Sequence, residues 1–216
     1  MTTQTTSPPD ALLFITPGCV HCPAVLQGLS DLLKQTLIGK LTVINVAAHP
    51  EEAEKYGVRA APWLKLGPFT LTGAQTPAEL KHWVEWCSSE TGYAKYFEQL
   101  LEDGSIKAAG EFVSEAPERL QYLLTFIADP EKSLIIRAGA SAILESYQNK
   151  GPLQNLLTQL AKLSENSDHR VRADACHLLG MSGMKEAKPY LQQCLNDSDA
   201  EVREIASESL QLLATS

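Results

Sequence analysis

The chain has 216 residues, 44% of them apolar and 20% charged, with a formal net charge of −8, a composition that fits a globular protein of one large or two small domains. A nucleic-acid partner is argued against, because phosphate binding needs clustered Lys and Arg, whereas residues 1–104 carry 7 bases against 11 acids and residues 105–216 carry 11 against 15. No apolar run approaches the roughly 20 residues that span a bilayer, so no membrane segment is expected.

Residues 1–9 read as a disordered lead-in, and Met1–Asp10 has neither the basic start nor the apolar core of a signal peptide. The apolar run Ala11-Leu12-Leu13-Phe14-Ile15 predicts a buried strand. Pro17-Gly18-Cys19-Val20-His21-Cys22-Pro23 follows and opens onto a helix over about 20–36, with Val25, Leu26, Leu29, Leu32 and Leu33 on one face. Two cysteines separated by two residues, at a strand-to-helix turn inside a βαβ pattern, point to a dithiol redox site. Cys19 is expected at the helix N-terminus, where unpaired N–H groups and the positive dipole end favour a thiolate. Cys22, one turn on, is expected to be the buried resolving thiol. Five cysteines, an odd number, without an export signal predict a cytoplasmic protein with free thiols.

Leu41-Thr42-Val43-Ile44-Asn45-Val46 is rich in β-branched residues and predicts a second strand, parallel to the first across the helix. His49-Pro50-Glu51-Glu52 starts a short helix to about Tyr56, with acids in its first turn. Two apolar runs, Trp63 to Leu66 and Phe69 to Leu71, split by Gly67-Pro68, predict a hairpin. Thr76-Pro77-Ala78-Glu79 is a capping box with proline at the first helical position. It starts a helix on which Leu80, Trp83, Val84 and Cys87 share a face.

The order β-α-β-α-β-β-α, with Cys-x-x-Cys after strand one and Pro62 before strand three, resembles the thioredoxin fold over about residues 10–90. Cys22-Pro23 followed by a Val/Leu-rich helix is similar to the glutaredoxin-like domains of archaeal protein disulfide oxidoreductases and of the alkyl hydroperoxide reductase flavoprotein. The resemblance implies a cis peptide at Pro62 beside the dithiol, a backbone at Ala61 that pairs with an incoming disulfide-bearing peptide as an added strand, and Trp63 close by. It also implies a buried carboxylate six residues before the first cysteine, where this chain has Leu13. His21 replaces the usual residue before the second cysteine; an imidazole there stabilises the reduced form and makes the disulfide more oxidising. The glutathione-site residues of glutaredoxins are only partly matched, by Thr72-Gly73, while Ala60-Ala61 stands where Thr-Val is usual.

From Glu90 onward the pattern is helical. A linking helix is expected over residues 91–104, then helices over Ile106 to Val113 and Pro117 to Ile127. Ile136-Arg137-Ala138-Gly139-Ala140 then aligns with Val171-Arg172-Ala173-Asp174-Ala175 and with Val202-Arg203-Glu204-Ile205-Ala206. The arginines are 35 and 31 residues apart, each unit is preceded by an Asp-containing turn, and this period marks an α-solenoid. The pattern resembles HEAT repeats over about residues 105–216, of the short type also seen in phycobilisome lyase-like proteins. Ala140, Ala175 and Ala206 are expected where helices approach closely. Aspartates are expected to cap the following helices. Each arginine is expected to bond an Asp of a neighbouring turn. Cys87, Cys176 and Cys194 read as small buried hydrophobes.

The expected architecture is thus an α/β thioredoxin-like fold followed by an all-α HEAT-like solenoid. The expected activity is thiol–disulfide exchange on protein disulfides through Cys19 and Cys22, supported by His21, Pro23, Ala61, Pro62 and Trp63. A zinc site is the alternative for Cys-x-x-Cys, but no second Cys-x-x-Cys or His-x-x-x-His completes a ligand set, so neither metal nor cofactor is expected. The expected partners are a protein client with a disulfide or dithiol, a reductase, and a second copy of the chain. Two other readings keep the same domains: a non-enzymatic HEAT scaffold, and an adaptor whose binding is controlled by the dithiol's redox state.

Overall fold

The computed structural model describes residues 7–215, so residues 1–6 of the expected lead-in lie outside the described residues; residues 7–9 carry no regular secondary structure. The chain divides into two compact units, one up to Tyr93 and one from Ala94 on.

In the first unit β1 (Ala11–Ile15) leads to α1 (Cys22–Lys34), β2 (Leu41–Asn45), α2 (Pro50–Lys55), the hairpin β3 (Trp63–Leu66) and β4 (Phe69–Thr72), and α3 (Pro77–Trp86). The strands make one mixed sheet in the order β2-β1-β3-β4. β1 and β2 run parallel, with Ala11 opposite Leu41 and Ile15 opposite Asn45. β3 runs antiparallel to β1, with Phe14 opposite Trp63. This is the predicted α/β order.

Side chains alternate across a strand, and β1 uses both faces. Phe14 buries itself with Ala53 and Trp63, flanked by Leu12, Ile44, Val46 and Val58. Its ring meets Trp63 edge-on at 5.4 Å between centroids. Ala11 and Leu13 point the other way and are 2% and 0% exposed. α1 packs on β1 and against α3. Gly28 sets how close those helices come, because a Cβ there would lie 2.7 Å from Leu80 Cδ1. Burying each large apolar side chain contributes about 1.5–3 kcal/mol, which is why a five-residue strand apolar on both faces suffices to anchor the sheet.

α3 starts on the capping box as predicted. The Thr76 hydroxyl accepts from the Glu79 amide at 3.3 Å, and the Glu79 carboxylate accepts from the Thr76 amide at 2.6 Å. Gly67 turns the hairpin at φ +52°, and a Cβ there would fall 2.8 Å from Cys87 Sγ. The Cys87 thiol donates to the Leu66 carbonyl at 3.6 Å, and burial pushes its pKa up to about 12.

The second unit is helical. The division between units falls within α4 (Glu90–Glu102), which therefore starts one residue before and ends two residues before the expected linking helix. It is followed by α5 (Ile106–Glu115), a 3₁₀ turn at Pro117–Arg119, α6 (Leu120–Ile127), α7 (Leu134–Glu145), α8 (Gly151–Gln154) and α9 (Leu157–Leu163). Then come α10 (His169–Met181), a 3₁₀ turn at Lys185–Ala187, α11 (Lys188–Cys194) and α12 (Ala200–Thr215). Ala140, Ala175 and Ala206 are each 0% exposed. A further close approach lies between α10 and α12: at Gly180 a Cβ would lie 2.7 Å from Ser209 Cβ and 3.0 Å from its Cα. No helix among the described residues is long and apolar enough to cross a membrane.

The repeat arginines hold turns together. Arg172 donates to the carbonyls of Asn166 and Ser167 and forks onto both Asp197 oxygens at 2.7 Å. Hydrogen bonds from Arg172 are the main cause that holds the Asp197 carboxyl down at about 2. Arg137 donates to the Ile127 and Asp129 carbonyls, but its carboxylate partner is Asp174, which lies on α10 rather than in a turn. Arg203 bonds the carbonyls of Asp197 and Ser198. Capping departs from expectation in one unit. Asp168 and Asp199 accept from the first-turn amides of α10 and α12, whereas α7 is capped by Ser133 and Asp129 accepts from Glu131 in the preceding turn.

Candidate functional site

β1 ends at Ile15, and Thr16-Pro17-Gly18 turns the chain, with the Cys19 amide bonding the Thr16 carbonyl at 3.2 Å. α1 begins at Cys22, two residues later than the expected start near Val20, with His21 as its N-cap and Pro23 in the first turn. Proline is favoured there because it has no N–H to leave unpaired and its φ is already helical. Cys19 therefore sits in the approach to the helix rather than on it. The N–H of Cys22 donates to Cys19 Sγ at 3.0 Å.

Cys19 and Cys22 are joined as a disulfide, with Cα atoms 5.5 Å apart. Their environments differ. Cys22 is buried at 4% exposure, while Cys19 is half-buried. α1 carries no acid in its first turn, so nothing there opposes the positive end of its dipole, worth up to about 2 kcal/mol to a partly buried negative charge. Partial exposure and an amide donor are features that favour a thiolate, and Cys19 has both.

The sheet register gathers the remaining expected residues. Because β3 is antiparallel to β1 and Phe14 faces Trp63, the segment leaving β1 and the segment entering β3 emerge at the same end of the sheet. The Ala61–Pro62 peptide bond is cis. Pro62 is buried and Ala61 half-buried, and the Pro62 carbonyl accepts from the Gly73 amide at 2.9 Å, bringing Thr72-Gly73 to that end as well. Trp63 is brought to this end but turned inward: it is 7% exposed, with its ring on Phe14 and Tyr56. His21 is exposed and its side chain makes no cap bond. Leu13, 0% exposed, leaves no carboxylate at the position where the resemblance implied one.

Val20, read from the sequence only as part of the dipeptide between the cysteines, is 81% exposed beside Cys19. The signal was there, since a residue in a turn ahead of the first helical residue has no core to enter. Among the described residues no group of three or more His, Cys, Asp or Glu gathers to hold a metal ion.

Residues 12–85 match the family model described as a thioredoxin domain. Residues 121–211 match the model described as HEAT repeats, a span that starts later than the expected 105. No curated protein matches the chain. The sheet with its Cys19–Cys22 turn is covered by the first match and α7 to α11 by the second, so the chain is a thioredoxin-like domain joined to C-terminal HEAT repeats.

Proposed function

We propose that this protein is a thiol–disulfide oxidoreductase that exchanges disulfides with protein clients through Cys19 and Cys22. One observation carries the reading: a half-buried sulfur paired with a buried one, the outer receiving the first amide of α1. In the reducing direction the Cys19 thiolate attacks one sulfur of the client disulfide. A mixed disulfide forms, and the other client sulfur leaves as a thiolate that takes a proton. Cys22 then loses its proton and attacks Cys19 Sγ, so the client departs as a dithiol and Cys19–Cys22 is left oxidised. A reductase or a small thiol supplies two electrons to restore it, and the reverse sequence oxidises a client dithiol. Rate follows thiolate fraction, nucleophilicity and access.

The other residues take supporting roles in this reading. The Ala61 backbone pairs with the client as an added strand. Pro62 shapes that edge, Trp63 backs it from the core, and Pro23 fixes the start of α1. His21, exposed beside the dithiol, biases the pair toward the reduced form. The HEAT repeats select the client or a second copy of the chain, and the protein works in the cytoplasm.

Replacing Cys22 with Ser while keeping Cys19 tests the reading. Mixed disulfides with client proteins accumulate and are released by dithiothreitol, whereas Cys19→Ser traps none. Equal trapping by both variants would contradict the assigned roles, and no trapping by either would contradict the activity.

A further inference from the structure

β2 is the outer strand of the sheet, and among the described residues only β1 pairs with it. The Ala11 amide donates to the Lys40 carbonyl at 2.8 Å, and the Val46 amide donates to the Ile15 carbonyl at 2.9 Å. Backbone groups alternate sides along a strand, so those of Lys40, Thr42, Ile44 and Val46 turn toward β1. Those of Leu41, Val43 and Asn45 turn outward. Asn45 closes one end, because its carbonyl accepts from the Ala48 and His49 amides at 3.0 Å. Val43 stands in the middle, 39% exposed, with no strand on its outer side among the described residues. Open edges are ordinarily blunted by charge, proline or a bulge. Leu41–Asn45 carries neither a charge nor a proline.

We propose that this edge pairs with the same edge of a second copy of the chain, antiparallel about a two-fold axis at Val43. The two-fold makes the strand its own complement. Val43 exchanges both backbone hydrogen bonds with the partner's Val43, and the Asn45 amide donates to the partner's Leu41 carbonyl. On one face of the joined sheet the two Val43 side chains cover each other.

The other face argues for a copy of this chain rather than an unrelated strand. There Lys40, Glu51 and Glu52 line one open cleft of about 720 Å³ with Thr42 and Ile44. Lys40 is exposed and makes no ion pair among the described residues. Glu51 and Glu52 are held only by His49 at 3.3 Å and Lys55 at 4.0 Å, both well exposed. The antiparallel register sets Lys40 opposite the partner's Val46. That is the end of β2 from which α2 starts, with both acids in its first turn. The relation is reciprocal, so each copy brings a cation to the acids of the other. One five-residue edge is a small interface, at the weak end of specific contacts, so association is reversible and depends on concentration. It needs no thiol chemistry and leaves the repeats to the client.

The test follows the full chain, kept reduced so that no intermolecular disulfide forms, by sedimentation velocity up to high-micromolar concentration. The weight-average mass is expected to rise from 23.6 kDa toward twice that value. In the same series hydrogen exchange at the Val43 amide slows as the dimer forms, a reading that needs no substitution. Val43→Lys sets two like charges opposite each other at the axis and weakens association at least ~10-fold. Lys40→Glu turns the attraction at both ends into repulsion and weakens it as well. Both positions are exposed, so each variant keeps the circular dichroism of the wild type. A chain that remains monomeric throughout, its edge left to a strand of another protein, would overturn the proposal. So would a dimer in which Val43 exchange is unchanged, or one that Val43→Lys or Lys40→Glu leaves intact.

Discussion

Cys19 differs from the four other cysteines by where its sulfur stands. Like Cys87 it is half-buried, but it receives the Cys22 amide and lies ahead of a helix start free of acids, whereas burial pushes the Cys87 thiol up to about 12. In the reduced protein, brief treatment with iodoacetamide at neutral pH should therefore label Cys19 well before Cys22, Cys87, Cys176 and Cys194. First labelling of any other cysteine would contradict this. The second residue-scale expectation concerns Asp197. Its carboxyl is held at about 2 in the folded chain, chiefly by Arg172, against about 3.9 when unfolded. A depressed folded pKa adds stability that is fully present above about pH 4 and is lost as the pH falls toward 2. Acid unfolding of the helical unit followed by circular dichroism should lose part of that slope in Asp197→Asn. Arg172→Ala, which strands a carboxylate whose side chain is 11% exposed, should cost about 3 kcal/mol by denaturant titration.

At the scale of elements, local signals were legible and long-range ones were not. The Thr76–Glu79 box starts α3 where the four residues said it would, because both reciprocal bonds lie within one turn. Thr76→Ala should cost the first unit about 1 kcal/mol, read as a lowered denaturant midpoint. The continuous apolar run of β1 and the β-branched run of β2 are likewise local, and both strands form as read. The start of α1 was placed too early because Val20 and His21 have no pattern that forbids helix, and Pro23 decides the position. The cap of α7 went to Ser133 rather than Asp129 because two candidate caps lay close together and only the turn geometry chooses between them. The choice of Asp174 for Arg137 and the touch of Gly180 on Ser209 are contacts between helices. No single stretch of sequence encodes them. Gly180→Ala, which drives a methyl against the Ser209 backbone on α12, should cost about 1–3 kcal/mol in the helical unit.

The whole molecule joins two units in one chain, a sheet that carries the Cys19–Cys22 pair and a stack of helical repeats. A repeat stack is stabilised by neighbour-to-neighbour contacts and offers an extended surface, so the division of labour proposed above puts chemistry at Cys19 and selection in the helices. A scaffold carrying an inert Cys-x-x-Cys would have the same fold, and fold alone does not choose between them. The direct measurement is reduction of insulin disulfides by dithiothreitol in the presence of the full chain, followed by turbidity. The account predicts catalysis by the wild-type protein and a loss of at least ~100-fold in Cys19→Ser, since the attacking thiolate is then gone. Turnover that is absent in the wild type, or unchanged in Cys19→Ser, would contradict it.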